Sequence, residues 1–333
     1  MWHHRPSNSA LVRAVGFALA YLAAVVVGIA LTREAGTIAV FWPANALLIG
    51  LLLRVRRPDY PLTLAACTLA SAIANLGYGD PAGVAVARAA LNMLEVLCGY
   101  HLIMRYADPD FTLADLRNLF VVMVASMAAP AVSATGAALV LGRALDISFP
   151  ALWWGWWSRD AVGMLLFLPL VVAFDVEPLE RLLFGPWDRR LLLATVELAA
   201  AFGLLFVGLG LIISGDWYGS PTLFAPILLW TALRFGVFPT AAVAATIGAV
   251  AVVAAANGAW PPRFTATATD AVQILSLQLF VLLVALPPLV VAVVIAERAR
   301  ARRQLDDALE SMADAFALYD PDGRLVLCNR RYP

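Results

Sequence analysis

The run Leu11-Val-Arg-Ala-Val-Gly-Phe-Ala-Leu-Ala-Tyr-Leu-Ala-Ala-Val-Val-Val-Gly-Ile-Ala-Leu31 decides the fold class. As a helix at about 1.5 Å per residue it is about 30 Å long, the thickness of a bilayer's hydrocarbon core, and it carries one charge, Arg13. No small-residue cleavage pattern follows it, so it reads as a span and not as a cleaved leader. Similar apolar runs recur at 38–53, 61–77, 83–104, 118–142, 158–174, 191–213, 221–235, 237–257 and 271–296, of which 221–235 is short and reads either as a span or as a re-entrant or strongly tilted helix paired with the next. Of the 333 residues 62% are hydrophobic and 14% charged, and the mean hydropathy is +0.83, well outside the range of soluble domains. The expectation is an all-α polytopic membrane protein with about ten transmembrane helices.

Arginine placement orients the spans. With a cytosolic N-terminus the inner segments hold Arg5, Arg13, Arg54, Arg56, Arg57, Arg105, Arg117, Arg181, Arg189, Arg190, Arg234, Arg298, Arg300, Arg302 and Arg303. The outer segments hold Arg33, Arg143, Arg159 and Arg263. Trp42, Trp153, Trp154, Trp156, Trp157, Trp217 and Trp260 then fall at or near the outer face, where amphipathic indoles settle. This places the chain in a bacterial inner (plasma) membrane with both termini cytosolic. The sequence has no lysine, which we attribute to base composition. Cys67, Cys98 and Cys328 lack metal-ligand spacing and read as reduced thiols.

Two stretches echo one another. Phe41-Trp-Pro-Ala-Asn-Ala-Leu-Leu-Ile-Gly-Leu-Leu-Leu-Arg54 resembles Phe224-Ala-Pro-Ile-Leu-Leu-Trp-Thr-Ala-Leu-Arg234. Each is followed by an aromatic-proline pair (Tyr60-Pro61, Phe238-Pro239) and an alanine-rich span. Both copies run in the same direction in this topology, the pattern of a parallel internal repeat, although alanine-leucine helices also resemble each other by composition alone.

Phe41-Trp-Pro43, Trp153-Trp-Gly-Trp-Trp-Ser-Arg-Asp160 with Gly163 and Pro169, and Pro226-Ile-Leu-Leu-Trp-Thr-Ala-Leu-Arg-Phe-Gly236 together resemble the motifs of the type-one membrane-associated sensor (MASE) family over residues 11–296. The resemblance implies an integral-membrane sensory module fused to a histidine kinase or a diguanylate cyclase, often through PAS domains. Leu309 to Tyr332 is similar to the opening of a PAS domain. Its own residues agree: Phe316-Ala-Leu-Tyr319 and Leu325-Val-Leu-Cys328 are strand candidates flanking the turn Asp320-Pro-Asp-Gly323. Only the start of such a domain is present, too little for an autonomous core. The organisation expected is a cytosolic tail (1–10), the membrane bundle (11–296), a connector helix (297–313) and the truncated PAS start (314–333). In the connector Ala301, Leu305, Ala308 and Met312, with Ala315 beyond, recur at heptad spacing, a candidate homodimer seam and signal relay. Its arginines also anchor the topology and meet anionic membrane lipid.

Ionisable and polar groups at membrane depth are expensive, so each is a candidate functional residue. Arg88, Asn92 and Glu95 lie at i, i+4 and i+7, on one face of the fourth span. At similar depth stand Trp42, Asn45, Trp156, Arg159, Asp160, Asp270 and Gln273. Arg88 with Asp160 is the favoured pair. Two readings stay open: an outward-facing pocket for a small-molecule or protein signal, or a structural ion pair. Glu95, protonated, and Gln278 fit interhelical hydrogen bonding, with a proton relay through Glu95 and Glu197 as the other reading, and His101 stands without a second histidine at ligand spacing.

Neither a metal site nor a cofactor or nucleic-acid site is expected, and no nucleophile-base set is evident, so the chain itself is read as non-catalytic. The expected role is the input module of a sensor histidine kinase, with a diguanylate cyclase/phosphodiesterase as the alternative. A small-molecule transporter would share the spans, the repeat and the buried charges.

Overall fold

The computed structural model describes residues 10–33, 42–54, 60–108, 111–175, 180, 184, 188–214, 224–256 and 270–332, with the side chains at 31–33, 190, 212–213, 252–256, 270–274 and 277 excepted. The helices are α1 (Ala10–Arg33), α2 (Ala44–Leu52), α3 (Tyr60–Gly77), α4 (Ala82–Tyr106), α5 (Leu116–Leu141), α6 (Phe149–Ala173), α7 (Arg189–Ile213), α8 (Ala225–Phe235), α9 (Val237–Ala256) and α10 (Asp270–Glu310). Strands β1 (Ala317–Tyr319) and β2 (Leu325–Cys328) close the chain as an antiparallel hairpin. Among the described residues seven helices (α1, α3, α4, α5, α6, α7 and α10) are long and apolar enough to cross a membrane. Their outer faces carry bare aliphatic side chains: Leu19, Leu69, Leu139 and Leu283 are each more than 60% exposed, the pattern lipid requires.

Small residues let the helices close on one another, since lipid tails offer no hydrophobic drive for association. Gly99 of α4 faces Ile49 of α2 and Ala129 of α5, and Gly136 of α5 faces Leu91 of α4. Two large apolar cores result, beside a smaller cluster of Val84, Leu91, Ala134, Ala137, Leu141 and Trp156 between α4, α5 and α6. One gathers α1 to α6 around Tyr21, Leu48, Ile49, Val96, Val122 and Met164. The other gathers α7 to α10 around Leu205, Leu228, Val243 and Val281. Helix α6 serves both, with Met164 and Leu168 in the first and Val162 and Leu166 in the second.

Besides α8, a helix of eleven residues where a span is expected at 221–235, the structure departs from the expected span map in three places. The span expected at 38–53 is a helix of nine residues, α2, too short to cross a bilayer at about 1.5 Å per residue. It begins against the middle of α6, runs parallel to that helix, and ends where Arg54 donates to the carbonyls of Val171 (2.7 Å), Val172 (3.2 Å) and Phe174 (3.0 Å). Irregular backbone ahead of such a half-helix survives at membrane depth only where protein covers it. Trp42 is so covered, its N–H donating to the Arg159 carbonyl at 3.1 Å.

The second departure is in α6, which starts at Phe149, not 158. The tryptophan run therefore forms its first turns, and Arg159 lies within the helix instead of an outer loop. Pro150 suits such a start, because its missing N–H falls among groups that have no helical partner.

Third, α10 is one helix of 41 residues, so the tenth span and the connector are continuous through Pro287 and Pro288. It ends at Glu310, which leaves Met312 outside the helix, while Ala301, Leu305 and Ala308 lie on it, exposed. The hairpin sits on its end: Asn329, buried, donates to the carbonyls of Leu309 (3.3 Å) and Asp314 (2.8 Å) and accepts from the Phe316 N–H (2.9 Å). Gly323 supplies the positive φ (76°) its turn needs.

The proposed repeat has a local counterpart, since α2 and α8 are both short and each precedes a longer helix. Their packing differs. Helix α8 lies against α10 and α9, whereas α2 is held chiefly by α6, α4 and α1.

Candidate functional site

The centre of the first core is polar. Glu95 is the fourteenth residue of the 25 in α4, and Asp160 the twelfth of the 25 in α6. Contacts of α5 with both helices run antiparallel, so α4 and α6 are parallel and bring these two mid-helix carboxyls to one level. Asn45, in the first turn of α2, joins them. Its Nδ2 donates to Glu95 Oε1 at 2.8 Å and to Asn92 Oδ1 at 3.3 Å, while its Oδ1 accepts from the Tyr21 hydroxyl of α1 at 3.2 Å. Ser133 of α5 lies 2.5 Å from Glu95 Oε2. Asn45 and Glu95 are 0% and Asp160 1% exposed. Four helices thus share one hydrogen-bonded centre, with Asp160 of α6 at its level.

An aromatic and arginine layer lies toward the N-terminal end of α6. The Arg159 guanidinium carbon stands 5.1 Å from the Trp156 ring centre and 5.9 Å from that of Trp42, and Arg159 Nε is 3.1 Å from Asp160 Oδ1. Indole faces attract a guanidinium, the more so where water is scarce. Arg88 lies 6.0 Å from the Trp156 ring centre and pairs with Asp80, Nε to Oδ2, at 3.2 Å. Asp80 follows the α3–α4 turn, which Gly79 permits with a φ of 90°.

The favoured Arg88–Asp160 pair is therefore corrected: the ionic partner of Asp160 is Arg159, and that of Arg88 is Asp80. The reason is depth. Asp160 is level with Glu95, and Arg88 lies seven residues, about 10 Å, away along α4.

The structure brings together Trp42, Asn45, Asn92, Glu95, Trp156, Arg159 and Asp160, with Arg88 at the rim. The side chains of Asp270 and Gln273 lie outside the described residues. Sequence reasoning missed Tyr21, Ser133 and Asp80. Tyr21 was visible as the one hydroxyl in the middle of the first span, whereas Ser133 and Asp80 had no signal of their own. Gln278 of α10 donates to Ser158 Oγ at 3.3 Å, two residues before Asp160.

Three buried polar atoms in this region have no hydrogen-bond partner among the described residues: Trp42 Nε1, Trp156 Nε1 and Asp160 Oδ2. Such groups cost stability and need a reason. Among the described residues there is no group of three or more His, Cys, Asp or Glu able to hold a metal ion.

Several apolar helices long enough to span, packed around a polar centre, define a multi-pass membrane protein. The chain belongs to the MASE1 family, whose model matches residues 11–299, and MASE1 is a membrane sensory input domain. Comparison with curated proteins and with solved structures found no match.

Proposed function

We propose that this chain is the sensory input module of a bacterial sensor histidine kinase, in which α10 carries the signal to a PAS domain and a catalytic output beyond it. The observation that carries this reading is the continuity of α10. The helix starts in the membrane bundle, is tied to α6 through Gln278 and Ser158, and runs unbroken to the hairpin at its end. A helix fixed at both ends transmits rotation or a register shift.

In this reading the polar centre and its Trp-Arg layer form the site at which the signal acts, and homodimerisation runs along Ala301, Leu305 and Ala308. The membrane is the inner one, with both termini cytosolic, as the arginine asymmetry supports.

The test is an insertion series of one to seven alanines after Arg303 in the parent protein, reading autophosphorylation. Output should rise and fall with helical phase and return at seven residues, two turns on. Output indifferent to phase would reject the relay. A phase-dependent change in cyclic di-GMP without phosphorylation would replace the kinase by a cyclase or phosphodiesterase.

A further inference from the structure

The Asp160 carboxyl is 1% exposed, and its Oδ2 has no hydrogen-bond partner among the described residues. Its other oxygen is occupied by Arg159 Nε at 3.1 Å. The Glu95 carboxyl is its electrostatic neighbour at the same level, on a helix joined to α6 through α2 and α5. Both Glu95 oxygens are already engaged, Oε1 by Asn45 and Oε2 by Ser133. Ser133 Oγ also lies 3.1 Å from the Pro130 carbonyl. A hydroxyl has one proton. If Ser133 gives it to Pro130, the short contact with Glu95 requires a proton from the glutamic acid.

Charge leads to the same place. Two carboxylates meeting in a dry interior repel strongly unless a positive charge sits between them. The nearby fixed cation is Arg159, and it is spent on Asp160. Arg88 is held at the rim by Asp80. Among the described residues the centre is therefore one positive charge short, and it holds an unpartnered carboxyl oxygen, Asp160 Oδ2.

We propose that Glu95 and Asp160 together bind one proton, and that this proton is the ligand through which the membrane domain is switched. The switching half of the proposal rests on the sensory reading above; the binding half does not. Among the described residues the groups facing the pair are Tyr21 of α1, with Cys67 and Ser71 of α3 behind it, Asn45 of α2, Asn92 and Cys98 of α4, Ser133 of α5 and Arg159 of α6. None of these except Arg159 is cationic, so none replaces the proton when it leaves. Loss of the proton sets two carboxylates against each other and strains the packing of α4 and α6 against α2 and α5. That strain reaches α2 through Asn45 and α10 through Ser158 and Gln278.

The test is infrared difference spectroscopy on the full chain in lipid nanodiscs, titrated from about pH 5 to 10, a range set by ordinary carboxyl and amine ionisation. A protonated-carboxyl carbonyl band should be present at low pH and disappear at high pH. It should lose its pH response in Glu95→Gln, which keeps the shape of a protonated glutamic acid, and shift in Asp160→Asn. Tryptophan fluorescence establishes that each variant is folded, with Trp156 as the local reporter. Absence of a titrating band in the folded wild-type chain overturns the proposal. A band that is lost when sodium replaces choline at fixed pH also overturns it and assigns a sodium ion instead. A band that titrates as expected while the parent's output ignores pH keeps the proton site and overturns its role as the switch.

Discussion

The backbone of Trp42 lies where a Gly163 side chain would be. A Cβ built on Gly163 falls on the carbonyl and nitrogen of Trp42, whose N–H donates to the Arg159 carbonyl one turn earlier on α6. This contact places the first turn of α2, and with it Asn45, against the carboxyls of α4 and α6.

Gly163→Ala should therefore destabilise the bundle by about 1–3 kcal/mol, the usual cost of overpacking. Gly155, on the same helix, has open space around its Cβ position, so Gly155→Ala should be neutral or stabilise by up to about 1 kcal/mol through helix propensity. Thermal unfolding in detergent compares the two. Equal effects would mean that the Trp42 contact is not what holds α2.

Arg54 caps the end of α6 with three carbonyl bonds and accounts for the C-terminal end of α2. Its removal leaves those carbonyls without a charged donor beside the negative end of the helix dipole. Arg54→Ala should cost about 1.5–3 kcal/mol, the range for hydrogen bonds to charged groups. Arg54→Lys should recover only part of that, because an ammonium cannot reproduce the fork. Unfolding midpoints of the two variants settle the order.

Ser158 and Gln278 tie the output helix to the helix that bears Asp160. A double-mutant cycle of Ser158→Ala and Gln278→Leu should show coupling of about 0.6 kcal/mol, typical of hydrogen bonds between membrane helices. Strict additivity in unfolding measurements would remove this tie from the signalling route.

In the terminal hairpin the Tyr319 hydroxyl is hydrogen-bonded to that of Tyr332, which raises the Tyr319 pKa above its ordinary value. A group whose folded pKa is raised stabilises below its unfolded pKa and loses that contribution as pH rises through the folded one. The hairpin contact should thus hold at neutral pH and fail in alkali. Tyr332→Phe should bring Tyr319 ionisation to lower pH in an ultraviolet tyrosinate titration.

Leu305 is 55% exposed on α10, with Ala301 and Ala308 exposed on the same stripe. In a background lacking Cys67, Cys98 and Cys328, Leu305→Cys should crosslink two copies of the chain in membranes. Arg303→Cys, off the stripe, should do so several-fold less. Equal crosslinking at both positions would count against a seam.

Much of the bundle was legible because bilayer thickness acts on local sequence. Apolar run length gave α1, α3, α4, α5 and α7 nearly to their ends. The hairpin was legible for a similar reason, since Pro321 and Gly323 specify a turn locally. The second span was misjudged because Trp42-Pro43 and Leu47 to Leu53 are apolar whether a helix crosses lipid or stops halfway inside protein. Only the fit of Trp42 against Gly163 distinguishes these cases. The tryptophan run was read as lying ahead of α6 because indoles suit both an interface and a helix start.

The sequence by itself determined that the chain spans a membrane many times, which helix faces carry polar groups, and that Arg88, Asn92 and Glu95 share one of them. These follow from hydropathy and helical period. Only the tertiary structure decided the partners. Asp160 went to Arg159, Glu95 to Asn45 and Ser133, and Arg88 to Asp80, because the registers of α4 and α6 against α2 and α5, set by small residues such as Gly99, Gly136 and Gly163, fix depth to within a helical turn. Inside a membrane, a turn of depth determines which charge finds a partner.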